Sequence, residues 1–325
     1  MPPITRRSLL VTRRSLLAAP LLALPATTKA QDGPPLVLST IAMIGEPAAR
    51  IGGAAIRAET LLGEGVDPHL YRPTRADLAR LMRADLVLHH GLGLEGRLRE
   101  AIERAAAAGR ATLAVGESLP RDMLLFPEGP AAPPDPHVWM DPALWGMAAT
   151  AIAAAIARLW PARAAEVQDN LAAFRAEAAA LDAYARRVLS TVPPERRVLV
   201  TAHDAFGYFG RRYGFEVEGI EGISTESEAG VQRIRALVDL VVSRRIPAVF
   251  AETSVPERNL RALIEGAAVR GHRVVLGGRL FSDAMGPPGS YEGTWIGMLD
   301  HNVTTIARAL GGEAPARGLR GRLAA

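Results

Sequence analysis

The chain has 325 residues, of which 49% are hydrophobic and 22% are charged, a composition typical of a globular protein long enough for two domains. Its formal charge of +4 arises in residues 1–30, which hold five basic side chains and no acidic one; the remainder has 33 basic and 34 acidic residues. This balance argues against a nucleic-acid-binding surface. The absence of cysteine excludes disulfides and a lipid anchor on an N-terminal cysteine.

The N-terminus has the pattern of an export signal. Arginine pairs precede an apolar run, 16–26, that is too short to span a bilayer and that leads into Thr28-Lys29-Ala30, a small-residue cleavage pattern. We predict a signal peptide over residues 1–30, cleaved near Ala30, and a periplasmic location. The arginine pairs are compatible with twin-arginine or general secretory export. No other charge-free run of about 18 apolar residues occurs, so we expect a soluble protein without a stable membrane anchor.

Strand and helix patterns alternate in the first half of the chain. Apolar runs predict strands at 36–40, 85–90 and 111–115. Helical patterns occupy 51–58, 74–82 and 94–108, and the second of these opens with a capping box. The proline-rich segment 127–136 is predicted to be an exposed loop. Such alternation is typical of βαβ units and a parallel sheet.

Two long helical patterns lie in the middle of the chain. The first is predicted over 142–159, with Asp141 as its N-cap and Pro142 as its first residue. The second runs from Pro161 to about Leu189 without an interrupting glycine, a length of roughly 40 Å. We interpret the second pattern as a rigid connector between two lobes.

The alternation resumes after the connector. Strands are predicted at 197–202, 215–219, 248–251 and 274–277, and helices at 206–213, 231–244, 257–270 and 293–310. The sequence therefore predicts an α/β fold of two (β/α) lobes with parallel sheets. We expect a signal peptide at 1–30, an N-terminal lobe at 31–160, a linker helix at 161–190 and a C-terminal lobe at 191–325.

Four polar residues lie at comparable positions in the two halves, in loops or at the end of a predicted strand. His69 and His137 lie in two Asp-Pro-His loops, His203 ends a strand, and Asp283 follows another strand. In open α/β sheets, ligands bind beyond the carboxyl ends of the strands, so we expect these side chains to meet in the cleft between the lobes. Three imidazoles and one carboxylate suit Zn²⁺, with Mn²⁺ or Fe²⁺ as alternatives. Four protein ligands leave no obligatory open position, which favours holding a metal over catalysis.

Taken alone, each of the four site residues also has a structural interpretation as a turn, cap or core residue. The other histidines are weaker candidates for metal ligands. His89 and His90 are adjacent on a strand and point to opposite sides, so both cannot bind one ion. We expect a structural role for His90, and surface or core positions for His272 and His301. Glu252, which ends a strand, is the best candidate to support a ligand or to replace one.

Five motifs occur in an order that resembles the zinc/manganese solute-binding proteins of bacterial ABC importers (cluster A-I). They are Asp67-Pro-His69, Asp135-Pro-His137-Val-Trp-Met-Asp141, Thr201-Ala-His203-Asp-Ala-Phe-Gly-Tyr-Phe, Gly222-Ile-Ser-Thr-Glu-Ser-Glu228 and Leu280-Phe-Ser-Asp283-Ala-Met-Gly. The resemblance covers nearly all of residues 36–311. It implies two lobes on one long helix, a single transported Zn²⁺ or Mn²⁺ bound by His69, His137, His203 and Asp283, and a permease and an ATPase as partners. We expect a monomer.

Two departures from that family concern the metal. Many zinc-specific members carry a His- and Asp-rich loop before the second ligand, whereas Pro127–Pro134 is short and contains no histidine. Many manganese-specific members have glutamate at the third ligand position, where this chain has His203. Three imidazoles favour Zn²⁺ on affinity, because Mn²⁺ lies at the weak end of the divalent series. Since the imidazoles bind when neutral, we expect affinity to fall as pH drops through about 6.5.

Two other classes of protein remain open at this stage. A zinc-dependent hydrolase would use three protein ligands, a bound water and a general base such as Glu252. The chain contains no His-Glu-x-x-His motif, and its candidate ligands are far apart in sequence, so we do not expect an enzyme. A surface adhesin that uses the same fold is the second alternative.

Overall fold

The computed structural model describes residues 33–226 and 229–324. The predicted signal peptide and its cleavage site lie outside the described residues. Two four-stranded parallel sheets with flanking helices form an α/β fold. We call β1 to α4 the first lobe and β5 to α9 the second lobe.

The first sheet is built from short strands on either side of a buried central pair. It comprises β1 (Leu36–Ser39), β2 (Arg57–Thr60), β3 (Leu86–His89) and β4 (Ala111–Ala114), in the order β2-β1-β3-β4. The helices α1 (Ala42–Gly52), α2 (Arg75–Arg83) and α3 (Arg99–Ala107) connect successive strands. The capping box at the start of α2 is present: Thr74 accepts a hydrogen bond from the Asp77 amide, and Asp77 accepts one from the Thr74 amide.

One predicted helix, at 51–58, is wrong. Residue Ile51 lies near the end of α1, and Arg57 begins strand β2. The helix ends at a Gly52-Gly53 pair, where Gly53 adopts a φ of +49° in the left-handed region that favours glycine. The start of α1 gave little helical signal because Pro47 lies inside it, and β2 is an edge strand that starts with two exposed residues, so it lacks a buried apolar run.

Helices α4 (Pro142–Leu159) and α5 (Ala164–Leu189) form the middle of the molecule. The prediction for α4 is confirmed at both ends, and Asp141 caps it by accepting hydrogen bonds from the amides of Ala143 and Leu144. Among the described residues, α4 is the one helix long and apolar enough to cross a membrane, but 56% of it is buried inside the protein. It packs against α1 and α5, as a core helix does.

The second sheet repeats the arrangement of the first. It comprises β5 (Val198–His203), β6 (Glu216–Glu221), β7 (Ala248–Glu252) and β8 (Val275–Leu280), in the order β6-β5-β7-β8. The helices of this lobe are α6 (Gly207–Tyr213), α7 (Val231–Ser243), α8 (Arg258–Val269) and α9 (Trp295–Ala309). In both sheets the second strand in the chain lies at one edge, followed by the first, third and fourth strands.

The 26-residue helix α5 packs against α1 and α4 of the first lobe and against α9 of the second. Its buried side chains, including Phe174, Leu181 and Tyr184, join one hydrophobic cluster that extends through both lobes. A smaller cluster lies between the second sheet and helices α7 and α8. The carboxyl ends of the strands in the two sheets face the cleft in which the polar residues meet.

Candidate metal centre

The structure brings His69, His137, His203 and Asp283 together between the lobes. Each offers one ligand atom, and these four atoms lie within 4.8 Å of one another. All four side chains are at most 3% exposed. A tetrahedral ion with bonds of about 2.1 Å separates its ligand atoms by roughly 3.4 Å, so the cluster spans little more than one ion requires.

The backbone positions of these residues follow from the parallel topology. His203 is the last residue of β5, Asp283 follows β8, and His69 lies in the loop after β2. His137 directly precedes the turn of 3₁₀ helix that leads into α4. The candidate site thus lies beyond the carboxyl ends of strands from both sheets, where ligands of open α/β sheets bind.

The carboxylate of Asp283 is the centre of the cluster. Its oxygens lie 3.1 Å from Nε2 of His203, 3.2 Å from Nε2 of His137 and 3.4 Å from Nε2 of His69. None of these contacts has the geometry of a hydrogen bond, and the three Nε2 atoms and both Asp283 oxygens are buried without a hydrogen-bond partner. Leaving five buried polar atoms unpaired costs free energy, so their convergence points to a ligand that all of them bind.

Behind His137, the carboxylate of Asp135 fixes the orientation of the ring. Oδ1 of Asp135 accepts hydrogen bonds from the His137 amide at 2.9 Å and from Nδ1 of the ring at 2.7 Å. This arrangement places the proton of the imidazole on Nδ1 and leaves Nε2 free to bind a metal. Asp135 is 1% exposed, so water does not weaken the contact.

Glu252 lies behind His203 in a comparable position. One carboxylate oxygen accepts a hydrogen bond from the His203 amide at 2.8 Å, and the other lies 2.5 Å from Nδ1 of the ring. Because β7 and β5 are neighbours, Glu252 at the end of β7 lies beside His203 at the end of β5. Glu252 therefore lies behind His203 and is not one of the four clustered residues.

His69 has a different partner arrangement. Oδ1 of Asp67 accepts a hydrogen bond from the His69 backbone amide at 2.8 Å, so this carboxylate fixes the turn rather than the ring. The carbonyl of His69 also lies against Gly96, where an added Cβ atom would come within 2.4 Å of the carbonyl oxygen. The position of the His69 imidazole thus depends on the backbone of its loop.

The buried charges strongly shift the pKa values of His137, His203 and Asp283. Burial lowers the pKa of His137, but the carboxylates of Asp283 and Asp135 outweigh burial and raise the pKa to about 9. Burial also opposes protonation of His203, yet Glu252 and Asp283 raise its pKa well above the ordinary value. Burial would raise the pKa of Asp283, but His203 and His137 hold it well below its usual range.

His90, His272 and His301 are not among the four clustered residues. The side chain of His90 is fully buried, and its ring packs edge-on against Trp139 at 4.9 Å and stacks near Trp145 at 6.0 Å. Burial lowers the pKa of His90 to about 3, so the ring is neutral, in agreement with a structural role. His272 and His301 contact backbone carbonyl groups through Nε2, at 2.8 Å and 2.9 Å.

Sequence reasoning missed the residues that hold the His137 loop in place. The Tyr208 hydroxyl donates to the Asp135 carbonyl at 2.8 Å, and the Trp139 indole donates to the Ser282 carbonyl at 2.9 Å. Both bonds join this loop of the first lobe to the second lobe. The expectation of an exposed loop at 127–136 is wrong at its end, because Asp135 and Pro136 are buried. An aspartate two residues before each loop histidine was the available signal for the role of Asp135.

The chain is similar to known metal-binding proteins along most of its length. The sequence model of the zinc-uptake complex component A family, periplasmic (ZnuA), matches residues 37–309. The zinc-binding protein TroA of Treponema pallidum is 44% identical over 281 residues, covering 86% of this chain and 90% of that protein. The manganese-binding lipoprotein MntA of Bacillus subtilis is 40% identical over 306 residues, covering 92% of this chain and 99% of that protein.

The same relationship holds in three dimensions. The solved structure of the periplasmic zinc-binding protein TroA from Treponema pallidum superposes with a TM-score of 0.83 at 44% sequence identity. The match covers 86% of this chain and 99% of that structure. Two lobes with parallel sheets, expected from the sequence, are thereby confirmed as the fold.

Proposed function

This chain belongs to the family of the periplasmic zinc-uptake complex component A, and we propose that its buried three-histidine, one-aspartate cluster captures a divalent transition metal for import. The family consists of solute-binding proteins of metal ABC importers and not of enzymes. Nothing in the comparisons supports the hydrolase or the adhesin considered from the sequence.

The observation that carries the site assignment is the set of unpaired buried atoms. Nε2 of His69, His137 and His203 and the oxygens of Asp283 converge without hydrogen-bond partners. A single cation that accepts electron pairs from all four residues would satisfy them at once. Full burial of the ligands is also suited to holding an ion that is carried rather than used in catalysis, because no position is left open for a substrate.

The chemistry of the donors favours Zn²⁺ over Mn²⁺ in affinity, since three imidazoles and one carboxylate form a borderline set. The relatives include a zinc-binding and a manganese-binding protein, so similarity alone does not choose between these ions. We propose Zn²⁺ or Mn²⁺ as the transported ion, with tighter binding of Zn²⁺.

We further propose the surroundings in which the protein acts. A monomer, exported by a signal peptide over residues 1–30 that is cleaved near Ala30, would carry the ion to a membrane permease driven by an ATPase. In this proposal, residues 31–160 and 191–325 are the two lobes and 161–190 is the linker helix.

Growth of a deletion strain in metal-limited medium tests the proposed role in metal import. Poor growth restored by added metal is expected, and normal growth would contradict the role.

The site itself is tested by replacing one ligand. We predict that His137→Ala weakens Zn²⁺ binding by more than about 100-fold, because loss of a residue that merely supports a ligand already costs about 10- to 100-fold. Competition with a chromophoric chelator measures the affinity. His301→Ala, which removes an imidazole outside the cluster, is the matched control and should bind as the wild type does. Wild-type affinity in His137→Ala would remove His137 from the site.

A further inference from the structure

The loop that carries His69 is attached to the second lobe by a hydrogen bond that the metal cluster does not include. The Thr225 hydroxyl, in the loop after β6, donates to Oδ2 of Asp67 at 2.5 Å. The other oxygen of the same carboxylate accepts the His69 amide at 2.8 Å. One aspartate thus connects a residue of the second lobe to the backbone of a candidate ligand in the first.

The two histidine loops of the first lobe differ in how firmly they are held. The His137 loop is bonded to the second lobe through Tyr208 and Trp139, and its imidazole is oriented by Asp135. These contacts hold His137 in place beside Asp283. In the His69 loop, the Asp67 carboxylate accepts a hydrogen bond from the His69 backbone amide and not from the ring. The direction of the His69 ring therefore depends on how the turn is held.

We infer that Thr225 and Asp67 form a latch that keeps His69 on the metal, and that this latch governs how fast the metal is released. The inference rests on the proposed function. Thr225 and Asp67 are positioning residues, since neither offers an atom to the four-residue cluster. The bond joins a hydroxyl to a carboxylate and is half-buried, which makes it stronger than a bond between neutral groups.

The position of the latch determines that it affects the rate of metal release. His69 reaches the cluster from a loop of the first lobe, and its turn is connected through Asp67 to a loop of the second lobe. Breaking the Thr225 bond leaves all four candidate ligands in the chain but frees the turn that aims one of them. Release should therefore accelerate, whereas the initial encounter with the ion should be unchanged.

The experiment measures Zn²⁺ release from the full chain into excess chelator by stopped flow. Thr225→Val keeps the shape of the side chain and removes the hydroxyl, and we expect release to be about tenfold faster. Thr225→Ser retains the hydroxyl, and Ser224→Ala alters the neighbouring residue. Both controls should release Zn²⁺ within about twofold of the wild-type rate. The association rate should be equal in all four proteins.

A double-mutant cycle assigns the effect to the pair. In an Asp67→Ala background, Thr225→Val should have no further effect on the release rate, because its partner is gone. Wild-type release by Thr225→Val, or equal acceleration by Ser224→Ala, would overturn the latch while leaving the metal site intact. A wild-type protein that binds no Zn²⁺ would instead overturn the proposed function and the latch with it.

Discussion

The imidazoles of His137 and His203 each have a carboxylate on the side opposite Asp283. Asp135 and Glu252 lie 2.7 Å and 2.5 Å from the respective Nδ1 atoms. A carboxylate at this position fixes the tautomer, orients the ring and increases the basicity of the nitrogen that binds the metal. We therefore expect these two acids to influence the affinity of the site as well as the four candidate ligands.

Replacement of Glu252 tests that role. Glu252→Gln preserves the size of the side chain but removes the negative charge beside His203. We predict a loss of Zn²⁺ affinity of about 10- to 100-fold, as is typical for residues that support metal ligands. Equilibrium competition with a chelator measures this loss. Glu265→Gln, at an exposed position of α8, is the matched control. Equal affinities of the two variants would show that Glu252 does not support the ligand.

We expect protons to compete with the metal at a higher pH than an ordinary imidazole would allow. An ordinary imidazole would lose affinity for metal near pH 6.5, but the carboxylates beside His137 raise its pKa to about 9 in the metal-free protein. At pH 7 this ring is protonated, so metal binding must release its proton. We predict that Zn²⁺ affinity rises throughout pH 6–8, with at least one proton released per ion. Calorimetry in two buffers of different ionisation enthalpy counts the protons, and a count of zero would contradict this assignment.

At the same scale, the sequence identified the candidate ligands and Glu252 beside them, but not the residues that hold the His137 loop. His69, His137, His203 and Asp283 follow strands or stand in repeated motifs, which are visible without a structure. The partners of those residues depend on which strands are neighbours and on how the lobes meet. Tyr208, for example, is 73 residues from Asp135 in the chain and contacts it across the cleft. No local pattern contains that information.

The elements that position the site are short strands whose ends carry the chemistry. The helices with strong boundary signals were predicted closely: α4 has an Asp-Pro start and a Trp-Pro end. Strand β2 was missed because four residues without a buried apolar run give no period-2 pattern. A strand of this kind forms because it can pair with the edge of β1. The position of that edge depends on the tertiary structure.

The loop that carries His137 depends on Tyr208 of helix α6. The Tyr208 hydroxyl donates to the Asp135 carbonyl and accepts from the Leu125 amide at 3.0 Å. Tyr208→Phe leaves the buried carbonyl unpaired, so we predict a loss of about 1–3 kcal/mol in the free energy of unfolding. Urea unfolding of the metal-free protein measures it, with an unchanged slope. Stability equal to that of the wild type would mean that the loop does not depend on this bond.

Over the whole molecule, helix α5 packs on helices of both lobes and joins a hydrophobic cluster that extends through them. Hinge motions usually occur at a few loop residues, whereas a packed helix resists bending. The hydrogen bonds of Tyr208 and Trp139 also join the first lobe to the second. Metal release by rearrangement of the ligand loops is consistent with this construction.

This construction predicts a small change in shape on metal binding. The radius of gyration of the metal-free and Zn²⁺-loaded proteins should agree within about 1 Å, as for other complexes without domain rearrangement. Small-angle X-ray scattering of the two forms measures the difference. A clearly larger radius in the metal-free form would indicate hinged lobes and would contradict a rigid connector.

The central claim is that three imidazoles and one carboxylate bind a single ion between the lobes. X-ray absorption spectroscopy at the zinc edge tests it most directly, because scattering from imidazole rings is distinct from that of single oxygen ligands. We predict one zinc per chain, with three histidine nitrogens and one carboxylate at about 2.0–2.2 Å. A first shell made of oxygen atoms, or one with a single imidazole, would contradict the site.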